Sequence, residues 1–181
     1  EGYVQVTDIY FTVDNSGNVS IVSSAAGEAD AKADTLLVND TRKPVSVEIS
    51  KVDIADDTEL EGAHLEVFYV ENGKEILVKG WDSDKTKTET ITNLEWEKQY
   101  TLRETVAPDG YGLLTTDIVF TVGKDGTVKV VSSGTSQSKA EGEVVNNILL
   151  VKDTITSVTI NKVDITDGEE VEGATIQIID S

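Results

Sequence analysis

Residues 46–53, SVEISKVD, alternate as a half-buried strand does. Val47, Ile49 and Lys51 fall on one face, and Ser46, Glu48 and Ser50 on the other. The apolar face is the one that enters a core, so the alternation carries Lys51 inward. Two other stretches do the same with acids. In YTLRETVAPDGY (100–111), Tyr100, Leu102 and Glu104 share a face; in ILLVKDT (148–154), Leu149, Val151 and Asp153 share one. A buried charge is costly unless it pairs, changes protonation or reaches water. The alternation alone leaves two readings open, a structural ion network and a reactive cluster.

The same patterning predicts strands over 45–52, 63–70, 75–81, 86–92, 99–105, 117–122, 127–132 and 143–152. Turn signals separate them at Glu71-Asn72-Gly73, Asp109-Gly110 and Lys124-Asp125-Gly126. No stretch sustains a helical period. Seven or eight short strands in about 110 residues predict an all-β fold, a β-sandwich of immunoglobulin-like type.

The pattern also repeats. SVEISKVDIADDTELEGAHLEVFYV (46–70) aligns without gaps on SVTINKVDITDGEEVEGATIQIIDS (157–181). EGYVQVTDIYFTVDNSGNVSIVSS (1–24) aligns with DGYGLLTTDIVFTVGKDGTVKVVSS (109–133), and LLVNDT (36–41) with LLVKDT (149–154). The order of the copies divides the chain into three. Residues 1–41 are the C-terminal part of one repeat, 42–154 a complete repeat, and 155–181 the N-terminal part of a third. The expected architecture is a tandem array of sandwich repeats with short junctions near 41–44 and 154–157, seen through a window that opens and closes inside a repeat.

Composition narrows the function classes. The formal charge of −19, from 34 acidic and 15 basic residues, disfavours nucleic acid and anionic membrane surfaces as partners. There is no Cys, so neither disulfides nor thiolate metal sites arise, and no Met, which fits a segment of a longer chain. No apolar run is long enough to span a bilayer. No cofactor motif is present.

The segments ISKVDI, LEGAHLEVF, YTLRETVAPDGYGL, IVFTVGKDGTVKV and LLVKDT resemble the collagen-adhesin B-type (CnaB, SpaA-like, prealbumin-like) repeat of Gram-positive surface proteins and pilins. YTLRETVAPDGY is the most specific of them and is similar to that family's E-box. The resemblance covers 43–154 and extends into both flanking stretches. It implies an autocatalytic intramolecular isopeptide bond, with Lys51 as amine, Asp153 as acceptor and Glu104 as the catalytic carboxyl. Many family members use Asn as acceptor, so Asn147, on the face of Asp153, is the alternative. The internal copies favour Asp153, because LLVNDT and LLVKDT both keep the Asp while Asn146 and Asn147 have no clear counterpart in the first copy. Asp40 and Lys162 are the partial-repeat equivalents, without an E-box glutamate beside them. The implied role is a stalk or fibre segment of an extracellular, cell-wall-anchored protein of a Gram-positive-type bacterium, each repeat locked against force and proteolysis. The reaction turns over once and is not enzymatic in the usual sense. Its partners are neighbouring repeats of the same chain, with any host or matrix ligand held by a distal domain. Alternatives are an adhesin module that itself binds such a ligand, and a sortase-assembled pilin shaft.

Other signals are weaker. The acidic loop 53–61 and its copy at 164–172 lack the spacing of a calcium loop and read as solvated hairpins. His64, the only histidine, falls on the outward face of its strand. Trp81 and Trp96 read as core-edge residues. The Asn18 and Asn39 sequons carry no weight in a bacterial-type surface protein.

Overall fold

The computed structural model describes residues 2–179 of the protein; Glu1, Asp180 and Ser181, at the outer edges of the two flanking stretches, lie outside them. The described residues contain strands and turns and no helix.

Residues 45–153 form the sandwich. Its strands are β5 (Val45–Asp53), β6 (His64–Glu71), β7 (Lys74–Asp82), β8 (Glu89–Leu94), β9 (Gln99–Val106), β10 (Ile118–Val122), β11 (Val128–Ser132), β14 (Gly142–Val145) and β15 (Ile148–Asp153). A small hairpin, β12 (Thr135–Ser136) with β13 (Lys139–Ala140), lies between β11 and β14. One sheet has the order β11-β10-β9-β6-β7, the other β14-β15-β5-β8. Their inner faces close on Val47, Ile49, Leu65, Val67, Leu102, Phe120, Leu149 and Val151, all at most 2% exposed. Each such aliphatic or aromatic side chain contributes about 1.5–3 kcal/mol by leaving water. All pairs in these sheets are antiparallel except β5 with β15, the first and last strands, which run parallel with Val151 opposite Lys51.

Two expected strands need correction. The 143–152 stretch is not one strand but the hairpin β14–β15, reversed at Asn146 and Asn147 with φ of 50° and 67°. Asn adopts that left-handed region more readily than other residues with a side chain, and two such residues in succession suit a two-residue hairpin turn. The 86–92 strand begins later, at Glu89, because Asp84 Oδ1 accepts hydrogen bonds from Thr86 N (2.8 Å) and Thr86 Oγ1 (2.6 Å) and holds residues 84–87 in a turn.

The flanking stretches are smaller. Residues 2–41 hold two hairpins, β1 (Tyr10–Val13) with β2 (Val19–Ser23) and β3 (Ala29–Lys32) with β4 (Thr35–Val38). Their registers match the sandwich. Phe11 pairs with Ile21 as Phe120 pairs with Val130, each next to a bulge. Ala29 pairs with Val38 as Gly142 pairs with Val151. The β3–β4 turn, with Ala33 at φ 48°, therefore occupies the place of the Asn146–Asn147 turn, a counterpart hidden in the sequence by the extra residues of β12–β13. In 155–179, Val171 N donates to Lys162 O at 2.8 Å as Leu60 N donates to Lys51 O at 2.8 Å.

Candidate functional site

Three strands meet in the dry interior between the sheets. Lys51, near the end of β5, and Asp153, at the end of β15, are neighbours on the four-stranded sheet. Glu104 comes from β9 on the facing sheet, where strict alternation with Tyr100 and Leu102 turns it inward. The three side chains are 1% exposed or less. The Lys51 ammonium nitrogen is in contact with Asp153 Oδ1 and lies 3.5 Å from Glu104 Oε1.

Hydrogen bonding there is sparse. Lys51 Nζ donates to Val151 O at 3.4 Å, and the Leu114 amide donates to Glu104 Oε2 at 3.0 Å. Glu104 Oε1 and both Asp153 oxygens are buried with no hydrogen-bond partner. The Lys51–Asp153 contact is thus a close approach of nitrogen to carboxyl rather than a well-directed hydrogen bond. Burial pushes the Glu104 carboxyl up to about 7, with Lys51 pulling down and the Asp153 charge pushing up. Burial also raises Asp153, against the pull of Lys51. Two adjoining carboxyls in a dry site cannot both ionise cheaply, so the cluster retains a proton near neutral pH. A lysine nitrogen against one carboxyl, with a second carboxyl able to carry protons, is the set of groups amide condensation needs.

The remaining expected site residues lie elsewhere. Asn147 is exposed in the β14–β15 turn, at the opposite end of β15 from Asp153 and ~20 Å along the strand. Its Oδ1 accepts from Val128 N at 2.8 Å and its Nδ2 donates to Gly126 O at 2.9 Å, so it ties the turn to the β10–β11 loop and stands apart from Lys51. Sharing a face along a strand does not bring two residues to one place. Asp40 and Lys162 are exposed. His64 is half-exposed, with Nδ1 2.6 Å from Asp82 Oδ1. In the acidic loop, Asp53 Oδ2 accepts from Tyr111 OH at 2.8 Å, and Glu59 pairs with Ser50 Oγ. Among the described residues no three His, Cys, Asp or Glu side chains converge as metal ligands.

Glu141 went unnoticed in the sequence. It is 1% exposed and sits on the outer side of β15, where its carboxylate accepts from Thr115 N (3.1 and 3.0 Å), Thr115 Oγ1 (2.7 Å) and Ser136 Oγ (2.7 Å). Thr115 follows Leu114, the residue whose amide holds Glu104, so one short segment is fastened by two buried carboxyls. Glu141 lies in SKAEGEVV, a polar stretch whose alternation gave no sign of enclosure; the small β12–β13 hairpin is what covers it.

The protein-family model described as the SpaA prealbumin-like fold domain matches residues 45–136. Among solved structures, the pilus adhesin RrgA of Streptococcus pneumoniae is similar at 17% identity over 79% of this chain and 20% of its own, with a TM-score of 0.52. The C-terminal fragment of the pilus adhesin SpaC of Lactobacillus rhamnosus GG is similar at 18% identity over 88% of this chain and 74% of its own, also at 0.52. These likenesses are of fold, and the chain spans about a fifth of the length of the pneumococcal adhesin. No curated protein matches it. The family match takes in more than half of the residues, with the whole five-stranded sheet and β5 and β8 of the other, and the chain belongs to the SpaA prealbumin-like domain family.

Proposed function

We propose that Lys51 and Asp153 become joined by an intramolecular isopeptide bond, that Glu104 catalyses its formation, and that the chain is part of a surface stalk built of such repeats. The observation that carries this reading is the position of Lys51 Nζ, against Asp153 and 3.5 Å from Glu104 in an interior without water-facing groups. A proton passes from the ammonium into the carboxyl pair, leaving a neutral amine. Nζ attacks Cγ of Asp153 while the Glu104 carboxyl hydrogen-bonds the carbonyl oxygen. Having given its proton to that oxygen, Glu104 takes the N–H proton of the tetrahedral intermediate, passes it to the departing hydroxyl and recovers the remaining O–H proton as the amide carbonyl forms. The C–N bond forms, the C–O bond breaks, one water leaves and Glu104 is regenerated. Folding supplies the proximity, worth a very high effective concentration. The product replaces a buried ion pair by one neutral amide.

The recurrence of registers and turn hydrogen bonds in 2–41 and 155–179 supports reading those stretches as parts of flanking repeats, with 42–154 as the complete one. Asp40 and Lys162 would then find their partners in residues outside 1–181. A fold shared with pilus adhesins supports an extracellular role at a Gram-positive-type surface, as stalk or pilus component.

Intact mass of the full chain tests the reading. The wild type is expected one water lighter than its sequence, and Lys51→Ala and Glu104→Ala at full mass. A wild type at full mass would sink the cross-link; a deficit of one ammonia would move the acceptor to an asparagine.

A further inference from the structure

One large aromatic side chain is enclosed by residues from a different part of the chain. Trp96, in the turn between β8 and β9, is 7% exposed and stands outside the sandwich's continuous apolar core. Residues of the N-terminal stretch cover it. Tyr3 packs edge-on with ring centroids 5.7 Å apart, the Arg42 guanidinium lies 4.3 Å over the ring, and the indole N–H donates to Gly2 O at 3.2 Å. Gly2, at φ +98°, brings its backbone close enough that a Cβ there would touch Trp96 and Lys124.

The covering unit is itself a small paired element, and it occurs twice. Tyr3 bridges Arg42, Val4 N donates to Thr41 O at 2.7 Å, and Lys43 N donates to Gly2 O at 2.9 Å. At the other end of the sandwich Tyr111 bridges Ile155, Gly112 N donates to Thr154 O at 3.0 Å, and Thr156 N donates to Gly110 O at 2.8 Å. In the first copy this element is seated on Trp96. In the second it is open, with Ile155 57% exposed where Arg42 lies on the indole.

We propose that the Gly2–Tyr3/Arg42 element and Trp96 form a fixed joint between consecutive repeats, and that Gly110–Tyr111/Ile155 is the matching plug for the tryptophan-bearing turn of a following repeat. The proposal rests on the reading of 1–41 as the end of one repeat, but on neither Lys51 nor Asp153. The joint combines an apolar wall, one directed N–H donor and a cation over the ring, so it fixes rotation as well as distance.

The chain has no Cys, so Ser23→Cys and Lys129→Cys, both at exposed positions, give one spin-label pair across the joint. In the full chain we expect a single narrow distance distribution, which broadens several-fold on Tyr3→Ala with Arg42→Ala. Those two residues lie outside the sandwich core, so the domain stays folded. A broad distribution with the joint residues intact, or an unchanged narrow one in the double variant, would overturn the joint. Intact mass of the same samples keeps the readings apart: full mass with a narrow distribution removes the cross-link and leaves the joint standing.

Discussion

At Glu104, burial and the neighbouring Asp153 push the carboxyl up while Lys51 pulls it down, and the balance sits at about 7. In the proposed reaction a protonated Glu104 polarises the acceptor, so cross-linking should slow as pH rises through about 7. Freshly translated chain, folded at a series of pH values and weighed after quenching, reads this directly; a rate that climbs steadily with pH would oppose it. The same shift has a stability consequence in Lys51→Ala, which cannot cross-link. There Glu104 loses the downward pull of Lys51 and stays protonated in the folded state to pH 7 or above, against 4.5 when unfolded. The folded state then binds the extra proton, so its stabilising effect is complete below pH 4.5 and is lost as pH rises through about 7. Urea midpoints should fall with rising pH across that window.

Among the elements, the β14–β15 hairpin separates two roles that the sequence left entangled. Asn147→Ala removes two side-chain hydrogen bonds and places a less tolerant residue at φ 67°, so it should cost roughly 1–3 kcal/mol. Its mass should nevertheless stay one water short, because Asn147 is distant from Lys51. Gly142→Ala in β14 would bring a Cβ to 2.9 Å from Ile118 Cγ2 and 3.0 Å from Ser133 Cβ, and crowding should lower stability by about 1–3 kcal/mol. Most strands and the inward set of Lys51, Glu104 and Asp153 were legible in the sequence, because period-two alternation is a local signal. The Asn146–Asn147 reversal escaped because EVV and ILLV read as one continuous apolar run. The parallel pairing of β5 with β15 and the enclosure of Glu141 escaped for another reason: both depend on chain segments far apart in sequence, which no local period encodes.

For the whole molecule, an amide between residues 51 and 153 would close a loop of about 100 residues and add about 4–5 kcal/mol by constraining the unfolded chain. Lys51→Ala should therefore melt well below the wild type and run as an ordinary linear chain in denaturing gels, where a cross-linked wild type would run anomalously compact. A wild type at full mass that still melts above Lys51→Ala would mean the buried cluster contributes only as an ion network. The parallel pairing of β5 and β15 has a further outcome. The chain enters at Val45 and leaves at Asp153, at opposite ends of two adjacent strands, and every connecting loop lies between those points. With residues 51 and 153 bonded, cleavage in the exposed turn at Asn72-Gly73, or in any loop from 54 to 147, would leave a nicked domain whose two pieces remain one covalent molecule. Nicking would then change the pattern of fragments seen after the amide itself is destroyed, and not the continuity of the chain.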